Sequence, residues 1–420
     1  MKKITAILIG AGNRGMDCLA PYALRNPLEL QFTAVAEPVR ERREAFGERY
    51  NVSRDRCFGD WEELLDQPKL ADAAIICTGD RLHFAPAVKA LEKGYHVLLE
   101  KPMATTPEEC ITLRETAAKY GRFVVVCHVL RYTSFFSKLK ALIDDGVIGR
   151  LIAVSHNENI GYYHFAHSYV RGNWRNEKEA SPIILAKCCH DLDIMLWLAG
   201  ADCFKLSSFG ELTHFKSENS PEGAPAKCLD GCPAQADCPY YAPKIYFTAG
   251  NEWLASVISM DRSREALMKA LNEGPYGRCV YHCDNDVPDH QVVNIEFANG
   301  VTASFMMSAF TREVSRTLKL MGTMGEIRGS FEKNEIEIMN FNRGPREVIY
   351  LDKAAYGHGG GDDQLMREFV GLLQPESDWE ALTSVSVSVQ SHLMAFAAEK
   401  SRRENRVVYL KEFEKSLKPF

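Results

Sequence analysis

The chain has 420 residues, 46% hydrophobic, 25% charged and 10% aromatic, the proportions of a globular protein rather than a disordered or fibrous one. That length points to roughly two or three domains. Lys and Arg number 50 against 56 Asp and Glu, a formal net charge of −6. The basic surplus that neutralises nucleic-acid phosphates is missing, so no nucleic-acid partner is expected. No apolar run approaches the roughly 20 residues that span a bilayer, so no membrane partner is expected either. Met1-Lys2-Lys3-Ile4 leads directly into a short apolar run and a glycine loop. No signal peptide is read there, and the expected location is cytoplasmic.

From residue 4 to about 127, short apolar runs alternate with amphipathic stretches. The runs fall at 4–9, within 32–36, at 73–77, 96–99 and 123–127. Continuous apolar runs of this length suit strands buried on both faces of a parallel sheet. Helices are predicted between them at 14–24, 39–50, 86–93 and 107–119. The last is signalled by Thr106-Pro107-Glu108-Glu109, a cap residue, a proline at the first turn, then acids. Strand–helix alternation of this kind predicts a doubly wound α/β (Rossmann) domain over 1–128.

Gly10-Ala11-Gly12-Asn13-Arg14-Gly15 follows the first strand and opens a helix, and an acid, Glu37, stands about 20 residues on. Gly10 permits the tight turn, Gly12 lets a pyrophosphate approach the backbone, and Gly15 lets helix and strand pack closely. The free N–H groups of Asn13, Arg14 and their neighbours at the helix start then hold the phosphates. Glu37 ends the second strand, where a carboxylate accepts hydrogen bonds from the adenosine ribose. It also repels a 2′-phosphate, which favours NAD over NADP. Arg40, Arg42 and Arg43 follow closely and are the groups that would hold that phosphate instead. Thr78, His83 and Glu100, just past later strands, are assigned to the cofactor as well.

Glu100-Lys101-Pro102 follows the fourth run, which aims Lys101 into the crevice where such sheets bind ligands. The glycine fingerprint, the acid after the second strand and Glu-Lys-Pro near residue 100 together resemble the Gfo/Idh/MocA oxidoreductase family. The resemblance extends to Arg131-Tyr132, Gly172-Asn173-Trp174-Arg175, Cys189-His190-Asp191-Leu192-Asp193 and His358-Gly359-Gly360-Gly361-Asp362. It implies NAD(P)-dependent hydride transfer at a secondary alcohol of a sugar, cyclitol or related polyol. It also implies Lys101 beside nicotinamide and substrate, a second domain built on a large, mostly antiparallel open sheet, and a homodimer or homotetramer. An NAD-dependent glycosidase that oxidises its sugar transiently, and a non-catalytic ligand-binding relative, are the alternative readings.

The second domain is read over 129–420, with a linking helix at 131–144, a strand at 151–157 and a helix at 189–198. Strands at 292–297 and 302–308 flank the hairpin signal Ala298-Asn299-Gly300. Further strands are predicted at 317–321, 326–331, 335–339 and 348–351, and closing helices at 363–373 and 381–403. Many family members place an Asp four residues before the histidine that acts as base. Here Ala186 stands four before His190, with Lys187 next to it. His190 is assigned as the base and Lys101 as the cation that stabilises a developing alkoxide, though a desolvated Lys can also act as base. Arg131, Tyr162, Trp174, Arg175, Lys187, Asp193 and His358 are the candidate substrate contacts. Asp362 is read as a helix cap.

Thirteen cysteines is an odd number. Many, such as Cys77 and Cys127, sit in apolar runs and read as core hydrophobes in a reducing compartment. Cys228, Cys232 and Cys238 do not. They lie in a polar, proline-rich segment over about 214–250 that looks inserted, with Cys279 and Cys283 following. Cys228, Cys232, Cys238 and Cys283 are the expected ligands of a structural zinc or another metal held by four thiolates. Free thiols and a disulfide pair are the alternatives.

Overall fold

Runs of Ile, Val, Leu and Ala at the start of the chain are buried on both faces because helices cover both sides of the sheet they form. In the computed structural model, which describes residues 2–342, 344–352, 358–375 and 381–418, these runs are β1 (Ile4–Ile9), β2 (Leu30–Ala36), β3 (Cys57–Phe58), β4 (Ala73–Ile76), β5 (His96–Leu99) and β6 (Val124–Val126). All pair in parallel, in the order β3-β2-β1-β4-β5-β6. Two-residue β3 is too short for a periodic signal. Strand order reverses between β1 and β4, so the loops after β1, β4 and β5 open onto one crevice. The helix Pro107–Tyr120 begins with a complete capping box between Thr106 and Glu109, as the sequence predicts.

The rest of the chain builds a nine-stranded sheet. Its strands are β7 (Leu151–Asn159), β8 (Cys203–Glu211), β9 (His290–Phe297), β10 (Thr302–Ser308), β11 (Ser315–Gly322), β12 (Gly325–Ser330), β13 (Glu335–Asn340), β14 (Glu347–Tyr350) and β15 (Val408–Tyr409). The order is β14-β13-β12-β11-β7-β10-β9-β8-β15, with β7 and β10 parallel and the other pairs antiparallel. β8 carries Ser208 at a buried position, so it offers little apolar alternation to a sequence reading. The β9–β10 hairpin turns at Gly300, whose φ is +84°, the left-handed conformation that favours glycine.

Two closing helices tie the halves together. Gly361–Leu372 packs Leu365, Met366, Phe369 and Val370 into the same core as Leu8, Phe32 and Tyr22 beneath the parallel sheet. Val385–Glu404 lies between β8 and the helix Pro107–Tyr120. No helix among the described residues is long and apolar enough to cross a membrane.

Candidate active site

The glycine loop is shaped by close backbone approach. Gly10 has φ +93°, and a Cβ there would lie 2.7 Å from the Cys77 carbonyl oxygen; one on Gly15 would lie 2.2 Å from the Gly10 oxygen. Gly12 differs, since a Cβ there meets no protein atom within 4 Å. Gly12 therefore faces the crevice, and the wide helical turn Asn13–Leu19 starts directly after it, a geometry that fits a pyrophosphate. Asn13 is exposed at the head of that turn. The Glu37 carboxylate is buried and accepts from the Ala11 N–H at 2.8 Å and the Val39 N–H at 3.0 Å. Each carboxylate oxygen keeps acceptor capacity toward a ribose hydroxyl.

The Arg14 side chain is taken up by two carboxylates. Its guanidinium reaches Glu100 Oε1 at 2.6 Å and Asp362 Oδ1 at 2.9 Å, tying the loop to the segment after β5 and to the start of the helix Gly361–Leu372. The expectation that Asp362 caps this helix is corrected: Gly360 occupies the cap position, and buried Asp362 takes the Arg14 charge. Thr78 and His83 shape the crevice wall through hydrogen bonds to the chain itself. Thr78 Oγ1 donates to the Leu82 carbonyl, and the His83 ring lies 2.6 Å from the Pro102 carbonyl and 3.0 Å from that of Thr78.

Lys101 stands at the carboxyl end of β5, and its Nζ donates to the Ala186 carbonyl at 2.8 Å. Ala186 ends one short helix, Ile183–Ala186, and His190 lies in the first turn of the next, Cys189–Ala199. Lys101 thus meets the backbone where many family members carry the Asp. His190 is buried, edge-on to His128 with ring centroids 5.7 Å apart.

Three expected substrate contacts, Arg131, Asp193 and Arg175, are ion-paired within the chain. Arg131 Nε and Nη2 donate to both oxygens of Asp193 at 2.6 and 2.7 Å, and both residues are buried. This bidentate pair ties Arg131 to the helix that carries His190. Arg175 likewise clasps Asp284 in a bidentate pair at 2.8 and 3.0 Å and pairs with Glu179, so it fastens the segment before the second sheet's long excursion. Trp174 is 38% exposed and its indole N–H donates to Asp80 Oδ1 at 3.1 Å, which holds its ring at the junction of the two domains. Tyr162 packs against Tyr163 and Tyr240. The side chain of His358 lies outside the described residues.

The sequence reading missed a buried charged layer between β7, β11 and the helix of His190. Asp191 accepts from His156 Nε2 at 2.8 Å and Arg316 Nε at 2.9 Å. Glu158 lies 2.7 Å from the same Arg316 nitrogen and 3.1 Å from Lys187 Nζ. Glu158 and Asp191 are wholly buried. Burial alone would raise the Asp191 carboxyl, but Arg316 and His156 outweigh it and hold it well below the usual carboxylate range. The signal was present: His156 and Glu158 sit two apart on β7, so both point to the buried face.

Burial pushes His128 down to about 4 and His392 down to about 3. The His392 ring donates from Nδ1 to the Ser388 carbonyl at 2.8 Å and accepts from the Met103 N–H at 2.9 Å, which requires the neutral ring. Unfolded, each titrates near 6.5. Below that value the unfolded chain binds more protons than the native one, so stability is full above pH 6.5 and falls as pH drops toward 4. Urea denaturation at stepped pH is expected to show a midpoint that declines steadily across this window. A flat midpoint would refute the assignment.

Among the described residues no three His, Cys, Asp or Glu side chains form a ready metal shell. Of the four expected thiols, Cys283 turns aside and donates to the Cys279 carbonyl at 3.3 Å.

A parallel sheet with a glycine loop after β1 and a buried acid after β2 defines a Rossmann-type dinucleotide-binding fold. The model of the oxidoreductase family's NAD-binding Rossmann fold matches residues 4–128, and that of the family's C-terminal alpha/beta domain matches 140–410. The chain belongs to the Gfo/Idh/MocA oxidoreductase family. It is 25% identical over 357 residues to the oxidoreductase YteT of Bacillus subtilis (strain 168), covering 81% of this chain and 82% of that one. It is 29% identical over 200 residues to inositol 2-dehydrogenase of Salmonella typhimurium (strain LT2), covering 47% of this chain and 55% of that one. An oxidoreductase of Agrobacterium radiobacter, solved with NAD+, L-tartaric acid and magnesium, shares the fold at a TM-score of 0.70 and 16% identity, covering 98% and 99% of the two chains.

Proposed function

We propose that the chain transfers a hydride between NAD and a secondary alcohol of a sugar, cyclitol or related polyol. The observation that carries this is Lys101 at the carboxyl end of β5, bonded to Ala186 a single turn before His190. When bound, NAD supplies the hydride acceptor. The residues supply the rest. His190 takes the hydroxyl proton, and the Lys101 ammonium stabilises the negative charge that develops on that oxygen. Arg131 and Asp193 hold the histidine's helix, and Lys187, paired with Glu158, ties the turn before it to β7. The match to inositol 2-dehydrogenase supports a polyhydroxylated substrate.

NAD is favoured over NADP. Two of the three nearby arginines are engaged elsewhere: Arg40 pairs with Glu44, and Arg43 donates to the Glu37 carbonyl. A 2′-phosphate would therefore meet the Glu37 carboxylate with little compensation. The purified chain, offered a panel of sugars and cyclitols with each cofactor, is expected to form NADH and to prefer NAD by about 10-fold or more, the scale of one unpaired charge contact. Glu37→Gln should narrow that preference. Equal use of NADP by the unsubstituted chain would overturn the cofactor assignment. Product release without net NADH would favour the glycosidase reading.

A further inference from the structure

A second site lies outside the crevice, in the polar segment between β8 and β9. Cys228, Cys232, Cys238 and Cys279 line one cavity of about 10 Å³, together with Tyr240 and Tyr281. The first three come from one turn-rich loop. The fourth is brought in by a short antiparallel bridge between Lys227 and Arg278, in which the Cys228 N–H donates to Gly277 and the Cys279 N–H to Ala226 at 2.9 and 2.8 Å. All four thiols are free of disulfides. This stretch has little regular structure. Between residues 212 and 241 it holds one three-residue helical turn, Ser217–Asn219.

Arg171 is the independent observation. It is fully buried, and its guanidinium donates to the carbonyls of Arg278 and Tyr240 at 2.7 Å each and to Cys228 Sγ at 3.7 Å. None of these partners is a carboxylate, and Nη1 has no hydrogen-bond partner. A cation taken out of water needs an anion close by, and the groups beside it that can lose a proton are the Cys228 thiol and the Tyr246 phenol. A divalent ion with four thiolates carries a double negative charge, which would meet that need.

We propose that Cys228, Cys232, Cys238 and Cys279 bind one structural zinc ion, with Arg171 as its buried counter-charge. Binding displaces four thiol protons to solvent. The thiols close inward on the ion by side-chain rotation, since they do not yet stand at ligand distance. The cavity has room for about one atom-sized guest, which suits a single ion. Four protein ligands leave no open position, so the ion holds the segment together and takes no part in hydride transfer.

The test uses the full chain, purified without chelator, with metals measured by mass spectrometry. About one zinc per chain is expected. A thiol-specific mercurial should release it, read with a coloured zinc indicator, so the test holds even where a variant fails to fold. Paired Cys228→Ser and Cys279→Ser should lose the zinc, and Cys283→Ser should keep it. Arg171→Gln should weaken zinc retention about 10–100-fold, the scale of an outer-sphere partner. Three results would overturn the proposal: a metal-free folded chain, a disulfide among these cysteines, or iron in place of zinc. Loss of zinc in Cys283→Ser with retention in Cys279→Ser would also overturn the ligand set.

Discussion

Replacing Lys101 with Met is expected to lower kcat by about 10²–10³, the scale of removing one preorganised charge donor at a developing oxyanion. NAD affinity and the unfolding midpoint should stay near those of the unsubstituted chain. The separation of effects follows from geometry. Lys101 Nζ makes its hydrogen bond to one backbone carbonyl, that of Ala186. Losing it leaves no buried carboxylate without a partner, and Met keeps the aliphatic stem. Glu37 and the glycine loop lie on other elements and are untouched. His190→Asn should cost about 10²–10⁴ if His190 is the base. The pH profile of kcat/KM then distinguishes the roles. The acid limb should vanish in His190→Asn and persist in Lys101→Met. If it vanishes only in Lys101→Met, the lysine is the base and the two roles exchange.

The parallel sheet was legible, apart from two-residue β3, because its other five strands are continuous apolar runs. The glycine fingerprint, Glu37 and Lys101 were legible because each stands at a fixed offset from a strand end. Arg131, Asp193 and Arg175 show where that reading stops. A sequence reveals that a charged residue lies near a site but not where its partner stands, and Arg131 finds Asp193 across 62 positions. Asp191 and Glu158 were missed for the same reason. Their counter-ion Arg316 comes from β11, far along the chain. The cysteine segment is set apart in the sequence by its polar, proline-rich composition, but which further thiol joins it depends on the bridge at Lys227 and Arg278. Spacing alone could not choose between Cys279 and Cys283.

Arg316→Met is expected to be the most destabilising single change in the second domain, costing about 3–5 kcal/mol, the usual consequence of removing one partner from a buried ion cluster. Arg316 serves two wholly buried carboxylates at once, Glu158 at 2.7 Å and Asp191 at 2.9 Å. Without it, among the described residues, Glu158 keeps Lys187 and Asp191 keeps His156. The sign with pH follows from Asp191. Its carboxyl is held below the usual range in the intact chain, so it adds stability above the unfolded value near 3.9, and that stability is lost as pH falls. In Arg316→Met the carboxyl loses its main cation while burial still raises it. The penalty should therefore be largest at neutral pH and shrink under mild acid as the carboxyl protonates. Denaturation of both chains at neutral and acid pH measures this, and a penalty independent of pH would show that Arg316 acts through packing alone. Arg316→Lys should recover part of the loss, because a point charge reaches one carboxylate but does not match the guanidinium fork. Asp191 adjoins His190 in the chain, so the same variant should also lower kcat through a displaced histidine. Arg316 acts here as a positioning residue, and a change in kcat without a change in KM would separate that displacement from lost substrate contact.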